Sequence, residues 1–381
     1  TQRSSRSRGG GRRWSGRSWT WLDEALSSPS GSARRGHGRA RSCTSTPTGS
    51  RTSDGQAAGL PSGAALCCAV DARPRRPLCP APATVLFSIV TPSFRQLAWL
   101  RLCVASVADQ VHRSRVGLRV EHLVQDAGTP GILELARELE QRSAGAAAAA
   151  PGGLGYRLEV HVEPDRGMYD AINRGFRRAE GQVFAYLNCD EQYLPWILEK
   201  VATHFAEHPH TEVLFAGAIV VDAAGSYLCD RLPTLPTRSH TLVSGNLAFF
   251  TSSTFFRASV LRERALWFDA SWRAMGDAEW ALRLIEAGVH MDTVAWPASV
   301  HTDTGENLAL SDGAVAERSR LARMAESWLR AARPLVVGAH RMRKLAHGAY
   351  DPKPHCYRIY TRENPERRTA FTVESPSWRW R

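Results

Sequence analysis

Glu163-Pro164-Asp165-Arg166-Gly167-Met168-Tyr169-Asp170-Ala171-Ile172-Asn173-Arg174-Gly175 leads through an Arg-rich turn into an apolar run, Val183-Phe184-Ala185-Tyr186-Leu187. That run ends in Asn188-Cys189-Asp190-Glu191-Gln192-Tyr193-Leu194-Pro195. A strand that ends in acidic residues places carboxylates at the carboxyl edge of a sheet, where open α/β folds bind ligands. Carboxylates there suit a hard divalent cation, and such a cation suits a diphosphate.

The flanking sequence supports a sheet of this kind. Leu86-Phe87-Ser88-Ile89-Val90-Thr91-Pro92 reads as a buried strand stopped by Pro92. A helix is expected over 95–110, with Leu100, Cys103, Val104 and Val107 on its apolar stripe. Strands are expected over 120–125, 158–162 and 183–187, and helices over 132–142, 168–179 and 194–205. The Ala run before Pro151-Gly152-Gly153 reads as a linker or surface loop. Strands alternating with helices imply a mostly parallel sheet covered on both faces. Residues 213–221 and 227–228 read as further strands with no helix between them, which suggests antiparallel partners. A helix over 277–287 ends at Gly288. From 314 to 346 the chain reads as helical and basic, with Pro334 breaking or kinking it.

The chain has 381 residues, enough for one large domain or two ordinary ones, and its 43% hydrophobic content supports a real core. The net charge of +12 is concentrated in an Arg-rich opening and in the tail from Arg318. Residues 1–83 are rich in Arg, Ser, Gly, Thr and Pro without lasting periodicity, so disorder is expected there. The first residue is Thr1, which fits a fragment, and whether 1–83 belong to the native protein stays open. An RNA-binding arm is disfavoured because aromatic residues are not interleaved for base stacking. The eight cysteines form no C-x-x-C pair and match no zinc ligand spacing, so free thiols in a reducing compartment are expected. No run approaches the ~18 apolar residues of a membrane span. No apolar h-region follows the basic start. The expected location is cytoplasmic, with peripheral contact at the inner face of the cell membrane left open.

Acidic residues recur at the same predicted edge: Asp126, the group from Asn188 to Glu191, and Asp277 with Glu279. Asp165 and Asp170 flank a helix start, whose amides can host an anion. Each has a structural alternative. Asp126 can serve the turn before Gly128, Asp165 and Asp277 can act as N-caps, and Asp170 can complement the helix dipole.

Over residues 85–310 the sequence resembles family 2 glycosyltransferases of the GT-A fold, of the bacterial polysaccharide-assembly type. Phe87 to Phe94 is similar to the family's opening strand, whose loop (here Thr91, Pro92, Ser93) wraps the nucleotide. Glu121 to Gly131 resembles the second strand and its turn, where an acidic residue, here Asp126, meets the base. Glu163 to Gly175 is the most specific match and implies nucleotide-sugar roles for Asp165, Arg166, Asp170 and Asn173. Leu187 to Glu191 resembles the metal-binding D-x-D position, with Asn188 in its first acidic slot and Glu191 in its last. The resemblance thus implies Asp190 and Glu191 as metal ligands and Asn188 on the donor. Ser252 to Arg257 is similar to the acceptor-side segment, with Thr251-Ser252 in place of the usual His-Gln pair. Met275 to Leu284 resembles the acidic motif at a helix start, so Asp277 is implied as the catalytic base and Glu279 as its companion. His301 lies where some members place a histidine near the diphosphate.

The resemblance implies a Rossmann-like mixed sheet flanked by helices (84–311), followed by a basic helical extension (312–381). It implies an inverting, hexosyltransferase-like enzyme that moves a sugar from a nucleotide-diphosphate sugar to an acceptor hydroxyl. The setting would be cell-surface polysaccharide or glycolipid assembly, with Mg2+ or Mn2+ as cofactor. The acceptor would be a saccharide or lipid-linked saccharide, and no nucleic-acid partner is expected. Trp328, Leu329, Leu335, Val336, Val337 and Leu345 among basic residues suggest a membrane contact or, alternatively, a helix packed on the catalytic domain. Four rivals stand beside this reading, one of them a nucleic-acid-binding protein that rests only on charge. A non-catalytic nucleotide-sugar-binding homologue is kept open by Asn188 and Glu191. A sugar nucleotidylyltransferase would want a Gly-rich loop where Thr91-Pro92-Ser93-Phe94-Arg95 stands. A dinucleotide oxidoreductase is set aside because no G-x-G-x-x-G follows a strand.

Overall fold

The computed structural model describes residues 85–112, 118–149, 155–305 and 312–380. The disorder expected for residues 1–83 lies outside them. The described residues begin with β1 (Val85–Ser93), α1 (Leu97–His112), β2 (Leu118–Asp126), α2 (Ile132–Ala149), β3 (Tyr156–Val162) and α3 (Met168–Arg178). They continue with β4 (Val183–Tyr186), β5 (Glu191–Tyr193), α4 (Ile197–Glu207), β6 (Val213–Asp222), β7 (Tyr227–Arg231) and α5 (Arg238–Ser244). Next come β8 (Thr254–Arg257), α6 (Ser259–Arg262), α7 (Gly276–Glu286) and β9 (Met291–Asp303). The last part holds α8 (Asp312–Arg323), α9 (Ser327–Ala331), α10 (Arg333–Ala346), β10 (His355–Ile359) and β11 (Thr369–Val373).

Among the described residues nine strands form one mixed sheet, in the order β3-β2-β1-β4-β8-β6-β9-β5, with β7 paired to β6. β1 runs parallel to both β2 and β4, whereas β8 is antiparallel to β4 and β6. The chain leaves β1 toward β2 and β3, then returns on the other side of β1 as β4. This reversal creates a switch point at the carboxyl ends of β1 and β4. Ser93 and Asp126 end two neighbouring strands there, and Asn188 to Glu191 follow β4.

β1 is buried from Phe87 to Ser93, as a central strand covered on both faces must be. Phe87 and Ile89 face a core with Leu100, Val104 and Val107 of α1 and Val120 of β2. Val90 faces the opposite core, with Ile172 and Phe176 of α3, Phe184, Phe256 and Trp280. Phe176 stacks on Phe184 at 5.0 Å between ring centres and meets Phe256 edge-on at 5.4 Å. This aromatic cluster ties α3, which carries part of the site, to the sheet beneath it.

Several elements depart from the sequence expectation. α2 continues through the Ala run to Ala149 rather than ending at 142, because alanine is the best helix former. α4 starts at Ile197, not 194, since Pro195 disfavours helix in the residue before it and Trp196 sits in the left-handed region at φ 68°. The freed residues form β5, which pairs with β9. β9 was not foreseen: Pro297 interrupts its pattern and stands at the register shift opposite Gly217. The extension is helical only to Ala346, after which β10 and β11 form a hairpin. Its Tyr357, Ile359, Phe371 and Val373 join the same core as α1. Cys103, Cys189 and Cys229 are buried free thiols, but Cys356 is disulfide-bonded, so the free-thiol expectation fails at that position.

Candidate active site

α3 opens at Gly167, whose φ of 118° suits glycine. A Cβ there would collide with the Arg273 guanidinium, which therefore sits over the helix start. Asp165 accepts the Gly167 N–H at 2.8 Å, and burial with the Asp170 carboxylate nearby raises its pKa. Asp170 accepts the Arg166 N–H at 3.0 Å and the Arg174 Nε–H at 3.1 Å. Against the cost of burial, these donors and the Arg166 guanidinium hold its carboxyl below the usual range. Arg166 keeps a 74% exposed side chain beside this start. Asn173 clamps the segment before α7, donating to the Phe268 carbonyl at 2.7 Å and accepting its N–H at 3.2 Å.

Asp126 is fully buried. It accepts from the Ser93 and Thr129 hydroxyls at 2.7 and 2.8 Å and from the Gly128 and Thr129 amides at 2.8 and 2.6 Å. Thr91 points into the core, bonded to His122 Nε2 at 2.9 Å, while Pro92 lies in register with Gln125. The Asp126 carboxylate lies close enough to Asp165 to help raise its pKa.

Beyond β4, Glu191 is buried in β5, in register with His301 of β9. Its Oε1 accepts His301 Nδ1–H at 3.0 Å and its Oε2 the Asn188 N–H at 2.8 Å. Burial works against a charged imidazole, yet Glu191 and Asp190 raise the His301 pKa. Phe250 and Trp380 pack edge-on against this ring at 5.4 and 5.6 Å. Trp380 is held by its indole N–H to Asp303 at 3.0 Å. Asp190 is half-buried, and burial plus the Glu191 charge push its pKa up to about 6, with His301 opposing. A carboxylate so placed has a charge that a cation would stabilise. Among the described residues no group of three or more His, Cys, Asp or Glu side chains is arranged to hold a metal ion. One or two carboxylates are still a usual set for Mg2+ when substrate phosphates complete the shell.

Asp277 stands in the first turn of α7. Burial raises its pKa to about 7, despite the bond its side chain accepts from the Ala278 N–H at 2.8 Å. Its own N–H donates to the Tyr169 hydroxyl at 3.2 Å. Gly276 makes this contact feasible: a Cβ there would lie 2.6 Å from the Tyr169 ring. Glu279, two residues on in the same first turn, is committed to Arg283 through bonds of 2.6 and 2.9 Å, and Arg283 also donates to the Trp267 carbonyl at 2.6 Å.

Tyr186, the last residue of β4, joins the two halves. Its hydroxyl is buried with no hydrogen-bond partner among the described residues, although the Thr251 side chain approaches it. Burial, then Asp277, and also Glu191 push its pKa upward. Tyr186 and Tyr169 both pack on the Phe268 ring, at 5.6 and 5.8 Å between ring centres, and Tyr169 bonds the Asp277 N–H. The structure gathers Asp126, Asp165, Arg166 and Asp170 around the start of α3. It gathers Asn188, Asp190, Glu191 and His301 after β4, and Asp277 against the tyrosines between. Thr91 and Glu279 are turned to internal partners. Sequence reasoning missed Tyr186, Arg273, Phe250 and Trp380. Only Tyr186 left a signal, as a polar-tipped residue ending an apolar strand just before the acidic group.

A carboxylate-lined switch point on a mixed α/β sheet is a place where open α/β folds bind ligands. Residues 88–264 match the family model described as glycosyl transferase family 2. Over those residues the chain is similar to family 2 glycosyltransferases, and its mixed α/β sheet flanked by helices agrees with the fold class expected from the sequence. Asp277, Glu279 and His301 lie past the matched residues. A PGL/p-HBAD biosynthesis glycosyltransferase of Mycobacterium bovis is 30% identical over 155 residues, covering 39% of this chain and 55% of the relative. The chain thus spans about half the length of that relative. The O-antigen biosynthesis protein RfbC of Myxococcus xanthus is 30% identical over 143 residues, 37% of this chain and 10% of RfbC. Among solved structures, S. aureus TarS 1-349 in complex with UDP-GlcNAc is 14% identical, with a TM-score of 0.47 over 70% of this chain and 76% of TarS. The mannosyltransferase PcManGT from Pyrobaculum calidifontis, in complex with GDP-Man and Mn2+, is 16% identical. Its TM-score is 0.43, covering 74% of this chain and 80% of PcManGT.

Proposed function

We propose that the protein transfers a sugar from a nucleotide-diphosphate sugar to an acceptor hydroxyl with inversion at the anomeric carbon. The observation that carries this is the packed path from β4 to Asp277: the Tyr186 ring meets Phe268 edge-on at 5.6 Å, Phe268 stacks on Tyr169 at 5.8 Å, and the Tyr169 hydroxyl accepts the Asp277 N–H at 3.2 Å, while Glu191 follows five residues after Tyr186. It supports a single cleft with metal-side carboxylates on one wall and a base on the other. A divalent cation, Mg2+ or Mn2+, held by Asp190 with Glu191 beside it, would supply Lewis-acid neutralisation of the leaving diphosphate. His301, held by its Nδ1 bond to Glu191, would add a donor on the diphosphate side. Arg166 and Arg273 at the start of α3 add cations where the helix amides also favour an anion. Ser93, Asp126, Asp165, Asp170 and Asn173 shape the nucleotide side. Asp277 takes the proton from the acceptor hydroxyl as its oxygen attacks. Its pKa of about 7 is near the optimum for a base at neutral pH.

Assembly of surface glycolipid or polysaccharide is the setting this chemistry fits. A basic C-terminal surface supports a peripheral membrane contact. Trp328, Leu335, Met342 and Leu345 are exposed, and α10 buries no side chain. Leu329, by contrast, is part of the core and Val336 packs against it. Among the described residues no helix is long and apolar enough to cross a membrane. Flotation of the protein with anionic and neutral vesicles tests the contact. Binding to anionic vesicles that salt reverses is expected, and its absence rejects the contact.

The second reading, a non-catalytic nucleotide-sugar binder, is favoured by one observation: both Glu191 oxygens already have partners within the protein. Incubation with a donor panel and Mn2+ separates the two. Release of nucleoside diphosphate that chelator abolishes supports the transferase, and binding without release supports the other.

A further inference from the structure

The helix that carries Asp277 has no cap of its own. Met275, at the N-cap of α7, has no side-chain oxygen and makes no side-chain cap bond. The first amides of a helix must then find partners on other elements. The Asp277 N–H donates to the Tyr169 hydroxyl of α3 at 3.2 Å, and the Met275 N–H donates to Glu317 of α8 at 2.9 Å. Glu317 takes the two preceding amides as well. Its Oε2 accepts the Ala274 N–H at 2.9 Å and its Oε1 the Arg273 N–H at 2.6 Å. Successive amides from 273 to 275 thus converge on one carboxylate.

α8 is built to place this group. Ala314 and Leu321 of α8 are buried, and with Glu317 they stand at i, i+3 and i+7, on one face of the helix. Arg320, one turn on from Glu317, lies over the Trp272 ring at 4.0 Å. Trp272 is buried in the same core as Leu321, Phe268 and Trp280. Apolar packing, a cation over an aromatic ring and the bonds from Glu317 therefore all fall on the segment that leads into α7.

The clamped backbone has a functional group at each end. At 273 the Arg273 guanidinium sits over the start of α3, against Gly167. Asp277 stands two residues beyond Met275, in the first turn of α7.

We propose that Glu317 is a positioning residue for the transfer: by holding residues 273–275 it sets where Asp277 meets the acceptor hydroxyl. The role given to the clamp rests on the transferase reading above. The clamp itself does not. A cap that served stability alone would lower Tm on removal and leave the turnover of folded enzyme intact.

Glu317 also bears on the base through its charge. The titratable groups around Asp277 are Tyr169 from α3, Tyr186 from β4 and Glu317 from α8, and on its own helix Glu279 is paired with Arg283. Burial keeps both phenols protonated at neutral pH. Burial is the main cause of the raised Asp277 pKa, and the Glu317 carboxylate adds to it. Removing that charge lowers the Asp277 pKa, so kcat/KM should level off at a lower pH.

Glu317→Gln keeps the shape while removing the charge and one acceptor. Nucleoside-diphosphate release by the full chain is measured across pH with Mn2+, acceptor and the active donor, beside amide hydrogen exchange over 273–277. Exchange there is expected to quicken, and the inflection of kcat/KM to move to lower pH. We expect kcat to fall at least about tenfold, since a misplacement of about 1 Å can cost about 10²-fold. Glu317→Asp, which keeps the charge, is expected to keep the inflection near that of wild type. Arg320→Gln, which loosens the same helix without touching the amides, is expected to keep most of kcat. If wild type turns over no donor while exchange over 273–277 still depends on Glu317, the clamp stands and the transferase reading falls. A lower Tm in Glu317→Gln with kcat and inflection unchanged overturns the proposal, as does an equal loss of kcat in Arg320→Gln.

Discussion

Asp277 shows how environment turns a common residue into a reagent. A carboxyl at a helix start ordinarily stays ionised, stabilised by the helix amides. Burial here outweighs those donors and raises its pKa to about 7. If it is the base, kcat/KM should rise with pH and level off above about 7, and Asp277→Asn should lose about 10²–10⁴-fold in kcat. Stability should move the opposite way. The folded-state pKa lies above the unfolded value of about 3.9, so folded Asp277 keeps a proton that the unfolded chain has lost. Its contribution is therefore full below pH 4 and is lost as pH rises through 7. Thermal melts at pH 8 should find Asp277→Asn more stable than wild type, and an equal or lower Tm would refute the burial argument. Glu279→Ala should cost much less activity, because that carboxylate is already spent on Arg283. Candidate acids were legible because each ends a predicted strand or starts a predicted helix. Their commitments were not: the four donors on Asp126 and the Arg283 clamp on Glu279 depend on side-chain geometry that spacing alone does not fix.

At the scale of elements, β1 to β4 with their helices were readable from apolar runs and 3.6-residue periodicity. β5 was too short to register, and β9 hid behind Pro297. Yet these two bring Glu191 and His301 together. The tail was least legible, because nothing in Trp378-Arg379-Trp380 announces that Trp380 packs on His301. Trp380→Ala should free that ring and loosen the donor's diphosphate. We expect KM for the nucleotide sugar to rise several-fold with kcat changing less. A change in kcat alone would place Trp380 elsewhere in the cycle. Gly276→Ala should displace Tyr169 and with it the α7 start, lowering kcat while α3 and the sheet stay folded by circular dichroism.

Across the whole molecule, the C-terminal hairpin belongs to the core. Arg368 of this hairpin, its side chain 4% exposed, bonds Asp109 of α1 at 2.6 and 2.8 Å and the Tyr193 carbonyl of β5 at 2.8 Å. Removing one partner of a buried pair leaves the other charge uncompensated, at about 3–5 kcal/mol. Arg368→Ala should destabilise by that order in chemical denaturation. A loss under about 1 kcal/mol would mean that the hairpin is an appendage. The sequence reads as a basic helical extension here because the hairpin's four buried residues are spread over two strands of only five residues each. The direct test of one shared cleft compares nucleoside-diphosphate release from the active donor in wild type, Asp190→Asn and Asp277→Asn, with Mn2+ and acceptor present. Both variants should lose at least about 10²-fold in turnover, with Mn2+-dependent nucleotide binding lost only in Asp190→Asn. Near-wild-type release by either variant would contradict a common site for the two carboxylates.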